Sequence, residues 1–112
     1  MKKIEAIIKP SKFDEVKEAL VQAGATGFTV TEVLGFGQHH EAPMMLRGAS
    51  YHAELVPRLK IEVLVSDAGA EQIIGAIQAS AKTGRQGDGK IIVTQLEDLI
   101  RIRTGERGEN AL

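Results

Sequence analysis

The run Gly84-Arg85-Gln86-Gly87-Asp88-Gly89-Lys90 sets several glycines ahead of a lysine. Such a loop lets successive backbone N–H groups gather round an anion with an ammonium to hand. It begins like a phosphate-binding P-loop and departs from it twice. Ile91 stands where Ser or Thr must reach Mg²⁺, and the residues after it predict a strand rather than a helix. A Walker-type NTPase is thereby excluded, and two readings stay open: an anion cradle, or an ordinary glycine-rich turn into a strand. Arg101 and Arg103 are two apart, so in an extended segment both guanidinium groups point the same way. That suits a phosphate or carboxylate; a solvated basic edge is the alternative. All three histidines, His39, His40 and His52, fall in one stretch beside Glu41 and Glu54. Imidazole with carboxylate suits Zn, Cu or Ni. Their spacing matches no metal signature, and solvated loop histidines are the competing reading. No nucleophile has a base at a telling spacing, and Asp14-Glu15 and Glu97-Asp98 sit at helix starts or turns, where capping explains them. The pattern is that of a binding module, not an enzyme.

The elements that must position these residues follow from periodicity. Lys3 to Lys9 is a short β-branched run that reads as a strand with both faces partly buried, and Pro10-Ser11 ends it. Ser11 with Asp14 makes a capping-box-like start. Phe13, Val16 and Leu20 then give a helical stripe, with Gly24 at its C′ position. Phe28 to Leu34 predicts a second strand and Leu59 to Val65 a third. Ser66-Asp67 caps a second helix striped by Ile73, Ile74, Ile77 and Ala81. Ile91 to Leu96 predicts a fourth strand, and Leu99 to Arg103 a last strand or hook before a polar, mobile tail (104–112). The halves echo each other: Lys3-Ile4-Glu5 matches Lys60-Ile61-Glu62, and Val30-Thr31-Glu32-Val33 matches Val93-Thr94-Gln95-Leu96. Two βαβ units in tandem give an α+β domain of the ferredoxin-like, split βαβ kind, with an antiparallel sheet and both helices on one face. Alternation puts Ile7, Thr29, Val33, Glu62, Leu64 and Ile92 on the open face. So apolar a face calls for a partner, and further copies of the chain are the simplest one. Phe36 to Pro57 shows no helical or strand period; connections this long are usually functional or disordered.

Composition fits one domain spanning 1–112. The chain is 43% hydrophobic but only 4% aromatic, without Trp, so its core is Ile, Val, Leu and Ala. Fourteen basic and fifteen acidic residues give a net charge of −1, which argues against a general nucleic-acid or membrane-surface binder. There is no Cys, hence no disulfide or thiolate chemistry. No run is long enough for a membrane span, and Glu5 and Lys9-Pro10 interrupt any signal-peptide core. The expectation is a cytoplasmic protein.

Five segments, Met1 to Pro10, Gly27 to Gly37, Arg47-Gly48-Ala49-Ser50-Tyr51, Thr83 to Ile91 and Ile100 to Glu106, closely resemble the nitrogen-regulatory PII signal-transduction family. The resemblance covers essentially the whole chain. It implies a homotrimer of double βαβ subunits with sheets facing inward, and a T-loop at 36–57 that engages a membrane transporter or a metabolic enzyme. It implies ATP or ADP in the cleft between subunits. Ile7, Gly35, Phe36, Gly37, Glu62, Leu64, Gly87, Gly89 and Lys90 would come from one subunit, and Gly27, Phe28, Thr29, Arg101 and Arg103 from the next. Gln38 and Asp88, in the same loops, belong to the expected nucleotide-binding set as well. The family also binds 2-oxoglutarate with Mg²⁺ at the base of the T-loop, and Tyr51 matches a tyrosine that many relatives have modified by a uridylyltransferase.

The departures cluster at the effector site. Gln38 stands where the family usually has Arg, His39 where Gln holds Mg²⁺ and the oxoacid, and Arg58 where Lys pairs with its carboxylate. Leu46 and Ile92 replace a usual Tyr and Phe. The chain thus looks like a divergent branch, for which weak synergy between MgATP and 2-oxoglutarate is expected. The alternative is a metal-responsive regulator associated with a heavy-metal efflux transporter, using His39, His40 and His52.

Overall fold

In the computed structural model, which describes residues 1–36, 44–46, 49–51 and 55–112, strand β1 (Lys2–Ile8) buries every second side chain. Ile4, Ala6 and Ile8 point into the core while Lys3, Glu5 and Ile7 face the other way. Strand β5 (Leu55–Val65) is its antiparallel neighbour and repeats the pattern with Ile61, Val63 and Val65. Over this apolar face lie helix α1 (Phe13–Gln22), with Val16 and Leu20 buried, and helix α2 (Asp67–Ala81), with Ala70, Ile73, Ile77 and Ala81 buried. Burying each large aliphatic side chain contributes about 1.5–3 kcal/mol, so Ile4, Leu20, Ile61 and Ile77 anchor the domain. Strand β2 (Thr29–Phe36) pairs with β5, and strand β6 (Lys90–Gln95) pairs with β1, giving the order β2-β5-β1-β6, all antiparallel. Each βαβ unit is thus split by a strand of the other, the expected ferredoxin-like α+β arrangement. No helix among the described residues is long and apolar enough to cross a membrane.

The helix starts differ from one another. Ser66 caps α2 as expected, its Oγ accepting from the Gly69 N–H at 3.3 Å. Ser11 does not cap α1. Pro10 opens a 3₁₀ turn (Pro10–Lys12) that takes Ser11 into it, and α1 begins at Phe13 with no side-chain cap. Gly24, at φ +93°, ends α1 as read, with the Ala25 N–H returning to the Leu20 carbonyl at 3.0 Å.

Strands β2 and β5 run further than alternation indicated. Their ladder continues through Leu34↔Pro57 and Gly35↔Val56 to Phe36↔Leu55. Pairing with β1 stops at Leu59, so Pro57 has a neighbour on one side only, where a residue without an N–H is tolerated. The stretch predicted to lack strands holds a short hairpin, strand β3 (Met44–Leu46) against strand β4 (Ala49–Tyr51), with Met44↔Tyr51 and Leu46↔Ala49 in register. Three-residue strands are too short for alternation to reveal. The C-terminal segment is a hook: Ile100 bridges Arg107, and the Arg101 N–H donates to the Glu106 carbonyl at 2.9 Å. The tail is folded rather than loose, forming a 3₁₀ helix at Gly108–Ala111.

Replacing Ser66 by Ala should lower stability by about 1 kcal/mol, while Ser11→Ala should change it by less than about 0.5 kcal/mol. Urea unfolding followed by circular dichroism checks both.

Candidate functional site

In an antiparallel ladder, partners share a face, so register assigns the open face. It carries Ile7 on β1, Thr29 and Val33 on β2, Glu62 and Leu64 on β5 and Ile92 on β6, as alternation predicted. Lys3, Glu5, Thr31, Arg58, Lys60, Lys90 and Thr94 share it. This makes it more polar than the six predicted residues suggest. Glu5 lies directly across from Glu62, a like-charge pair that would repel. Lys3 answers it at 2.8 Å from Glu5, and Lys60 lies 3.6 Å from Glu62. The hydrogen bond from Lys3 holds the Glu5 carboxyl below the usual carboxylate range, and Glu5 raises Lys3 in return.

The glycine-rich loop is built around Asp88. Its carboxylate accepts from the Thr83 hydroxyl, the Thr83 N–H at 2.8 Å and the Gly84 N–H at 2.9 Å. Lys9, at the end of β1, lies 3.4 Å from it. The Thr83 hydroxyl also accepts from the Arg85 N–H at 3.2 Å. These bonds, led by the Thr83 hydroxyl, hold the Asp88 carboxyl far below its usual range. Asp88 therefore fills the anion position offered by Thr83 and Gly84, and it shapes the loop from inside. No hydrogen bond among the described residues engages the N–H of Gln86 or Gly87. Gly89 is required by packing: at φ +95°, a Cβ there would lie 1.6 Å from the Ile7 carbonyl oxygen. That close approach seats Lys90 opposite Ile7 at the start of β6. Lys9 and Thr83 were not singled out in the sequence. A Thr-Gly turn closed by Asp five residues on is the signal that could have found them.

Two separate cavities border the predicted site. One of about 370 Å³ is lined by Ile7, Asp88, Gly89 and Lys90 together with Ile77, Gln78 and Ala81 of α2. The other, of about 570 Å³, is lined by Thr26, Gly27, Phe28, Thr29, Glu62, Leu64 and Arg101, joined by Leu99, Ala111 and Leu112. Within one chain, Glu62 and Leu64 accompany Thr29 and Arg101 rather than Gly89 and Lys90, a different grouping from the one the resemblance implies. The guanidinium pair does not form as read from the sequence. Residues 102–104 make a turn, so alternation fails between Arg101 and Arg103. Arg103 is exposed at that turn, and the neighbouring Ile102 is fully exposed.

Gly35 and Phe36 end β2, and Phe36 is 74% exposed. Arg58 is buried, 6% exposed, on the face away from the helices, and its Nη1 donates to the Pro57 carbonyl at 2.9 Å. Gly37, Gln38, His39, His40 and His52 lie outside the described residues, and of Tyr51 only the backbone pairing is described. Among the described residues there is no cluster of three or more His, Asp or Glu that could hold a metal ion.

A family model described as "Nitrogen regulatory protein P-II" matches residues 1–106. Proteins of that name from Rhodospirillum rubrum, Azospirillum brasilense and Rhizobium meliloti are similar to this chain at 56%, 55% and 54% identity, each over 112 residues covering all of both chains. The chain belongs to the nitrogen regulatory P-II family. It is a P-II signal-transduction protein, and its relatives are named as regulators. In this P-II protein the loop from Thr83 to Lys90 is stapled by its own aspartate.

Asp88 sets a pH dependence. Its folded pKa is depressed, so its contribution is complete above the unfolded value near 3.8 and shrinks as pH falls below it, because only the unfolded chain takes up the proton there. Asp88→Asn should be less stable than the parent at pH 7, and the gap should narrow from pH 4 toward pH 2. Thermal unfolding across that range tests this.

Proposed function

We propose that this P-II protein binds ATP and ADP in clefts between the subunits of a homotrimer and signals through residues 36–57 to a membrane transporter or a metabolic enzyme. The observation that carries this reading is the division of the ligand set. Gly89 and Lys90, with the unengaged Gln86 and Gly87 amides, belong to the β1–β6 end of the sheet. Thr29, Glu62, Leu64 and Arg101 belong to the β2–β5 end with the C-terminal hook. Each half offers part of a nucleotide site: amides and an ammonium for phosphates on one side, a guanidinium and a carboxylate on the other. Bringing the first end of one copy against the second end of the next completes the set, and three such contacts close a ring. The open face supports this packing, since its exposed Leu64 and Ile92 gain burial while the Lys3–Glu5 and Lys60–Glu62 contacts pair four of its charges.

The same reading places 2-oxoglutarate and Mg²⁺ at the base of the loop, near Arg58 and His39. A buried guanidinium already bonded to the Pro57 carbonyl is less available to an oxoacid than a lysine ammonium would be, in line with weak synergy. The protein would act in the cytoplasm as a regulator rather than a catalyst, with Tyr51 as a substrate for a uridylyltransferase.

Loss of one charge-assisted contact costs about 1.5–3 kcal/mol, so Lys90→Ala and Arg103→Ala should each weaken ATP and ADP binding roughly ten- to hundredfold by calorimetric titration. Unchanged affinity in both variants would refute the cleft assignment. In sedimentation at micromolar concentration, the protein should run as a trimer; a well-behaved monomer would overturn the shared site.

A further inference from the structure

Arg101 is already engaged, and by the chain's own tail. Its Nη2 donates to the Leu112 backbone carbonyl at 2.9 Å and to the Ala111 carbonyl at 3.4 Å. These carbonyls follow from the 3₁₀ helix Gly108–Ala111. The last carbonyls of a helix have no partner of their own and carry partial negative charge, so a guanidinium is a natural cap for them. The tail also stands in the larger cleft, where Ala111 and Leu112 line the wall with Thr29, Glu62 and Leu64. The remaining donors of Arg101 are poorly served. Its Nε is buried with no hydrogen-bond partner, and the Glu106 carboxylate at 3.8 Å is too distant to accept one. One guanidinium nitrogen is thus engaged by the tail's backbone oxygens while the buried Nε stands idle. A phosphate offers the same guanidinium two parallel, fully charged acceptors.

We propose that residues 108–112 compete within the molecule for Arg101, holding the guanidinium until the phosphates of a bound nucleotide displace them. The proposal rests on the nucleotide reading of the cleft given above. It makes tail release a consequence of nucleotide binding and the tail a tax on affinity, because only the fraction of molecules with Arg101 free is competent. The tax is small, since the Arg101 side chain is 40% exposed and its bonds to the tail compete with water.

The test is calorimetric titration with ATP of the full chain, a chain ending at Arg107, Arg101→Ala, and the two changes combined. The shortened chain should bind ATP about three- to tenfold tighter, the range expected of one partly solvated charge-assisted bond. The gain should vanish in the Arg101→Ala background. The chain has no Trp, so Leu112→Trp gives a sole reporter whose emission should shift to the red as saturating ATP expels it from the cleft. If the full and shortened chains bind ATP equally tightly, or the shortened one more weakly, competition is overturned and the nucleotide site stands. If ATP binds to neither, the nucleotide reading itself fails and competition with it. Should the shortened chain not fold, the tryptophan decides: unchanged emission in a protein shown by calorimetry to bind ATP overturns the proposal.

Discussion

The pleat of β1 and β5 governs this molecule. Paired in register from Lys2↔Val65 to Ile8↔Leu59, the two central strands send alternate residues to opposite faces. A slip by one residue would exchange Ile4 and Ile61 with Glu5 and Glu62. That is forbidden on both sides at once: the helix face would receive carboxylates, and the open face would lose the Lys3–Glu5 and Lys60–Glu62 pairs. Because β6 is laid on β1 by the same ladder, with a glycine pressed against the Ile7 carbonyl, the glycine-rich loop inherits its position from this register. So do Thr29 and Glu62, opposed on β2 and β5.

What could be read from residue order was whatever depends on local period or on a signature. The strands of the four-stranded sheet, the two helices, Gly24 and the Ser66 cap follow from alternation, helical spacing and a single hydrogen bond. The family follows from long runs that match as blocks. Legibility failed where a second, nonlocal interaction decided the outcome. Ser11 and Ser66 look alike as caps, and only the proline before Ser11 separates them. Arg101 and Arg103 look like a strand pair, but the Arg101–Glu106 and Gly105–Arg101 backbone bonds wind that segment into a turn. The polar tail looks loose until the Arg101 side chain, ten residues earlier, takes up its carbonyls. In the candidate site the residue types were legible, but their division into two cavities was not, since it depends on strand order.

Asp88 shows how one carboxylate can build an anion-friendly loop and yet keep part of it occupied. It satisfies the Thr83 and Gly84 amides and draws Lys9 onto the loop, so the loop is ordered before any ligand arrives. Order made in advance lowers the entropy cost of binding. It also removes the Thr83 and Gly84 amides from the donors left for a ligand.

Strand β5 has one further property. Its residues Ile61, Val63 and Val65 are buried toward the helices, while Val56 and Arg58 are buried on the opposite side. From Leu55 to Arg58 it has left β1 and pairs with β2 alone, a two-stranded stalk roughly 13 Å long at about 3.3 Å per residue. The pairing of this end thus rests on β2 alone, so a change that frees Leu34 or Phe36 would release it while the β1 ladder still holds the rest of β5.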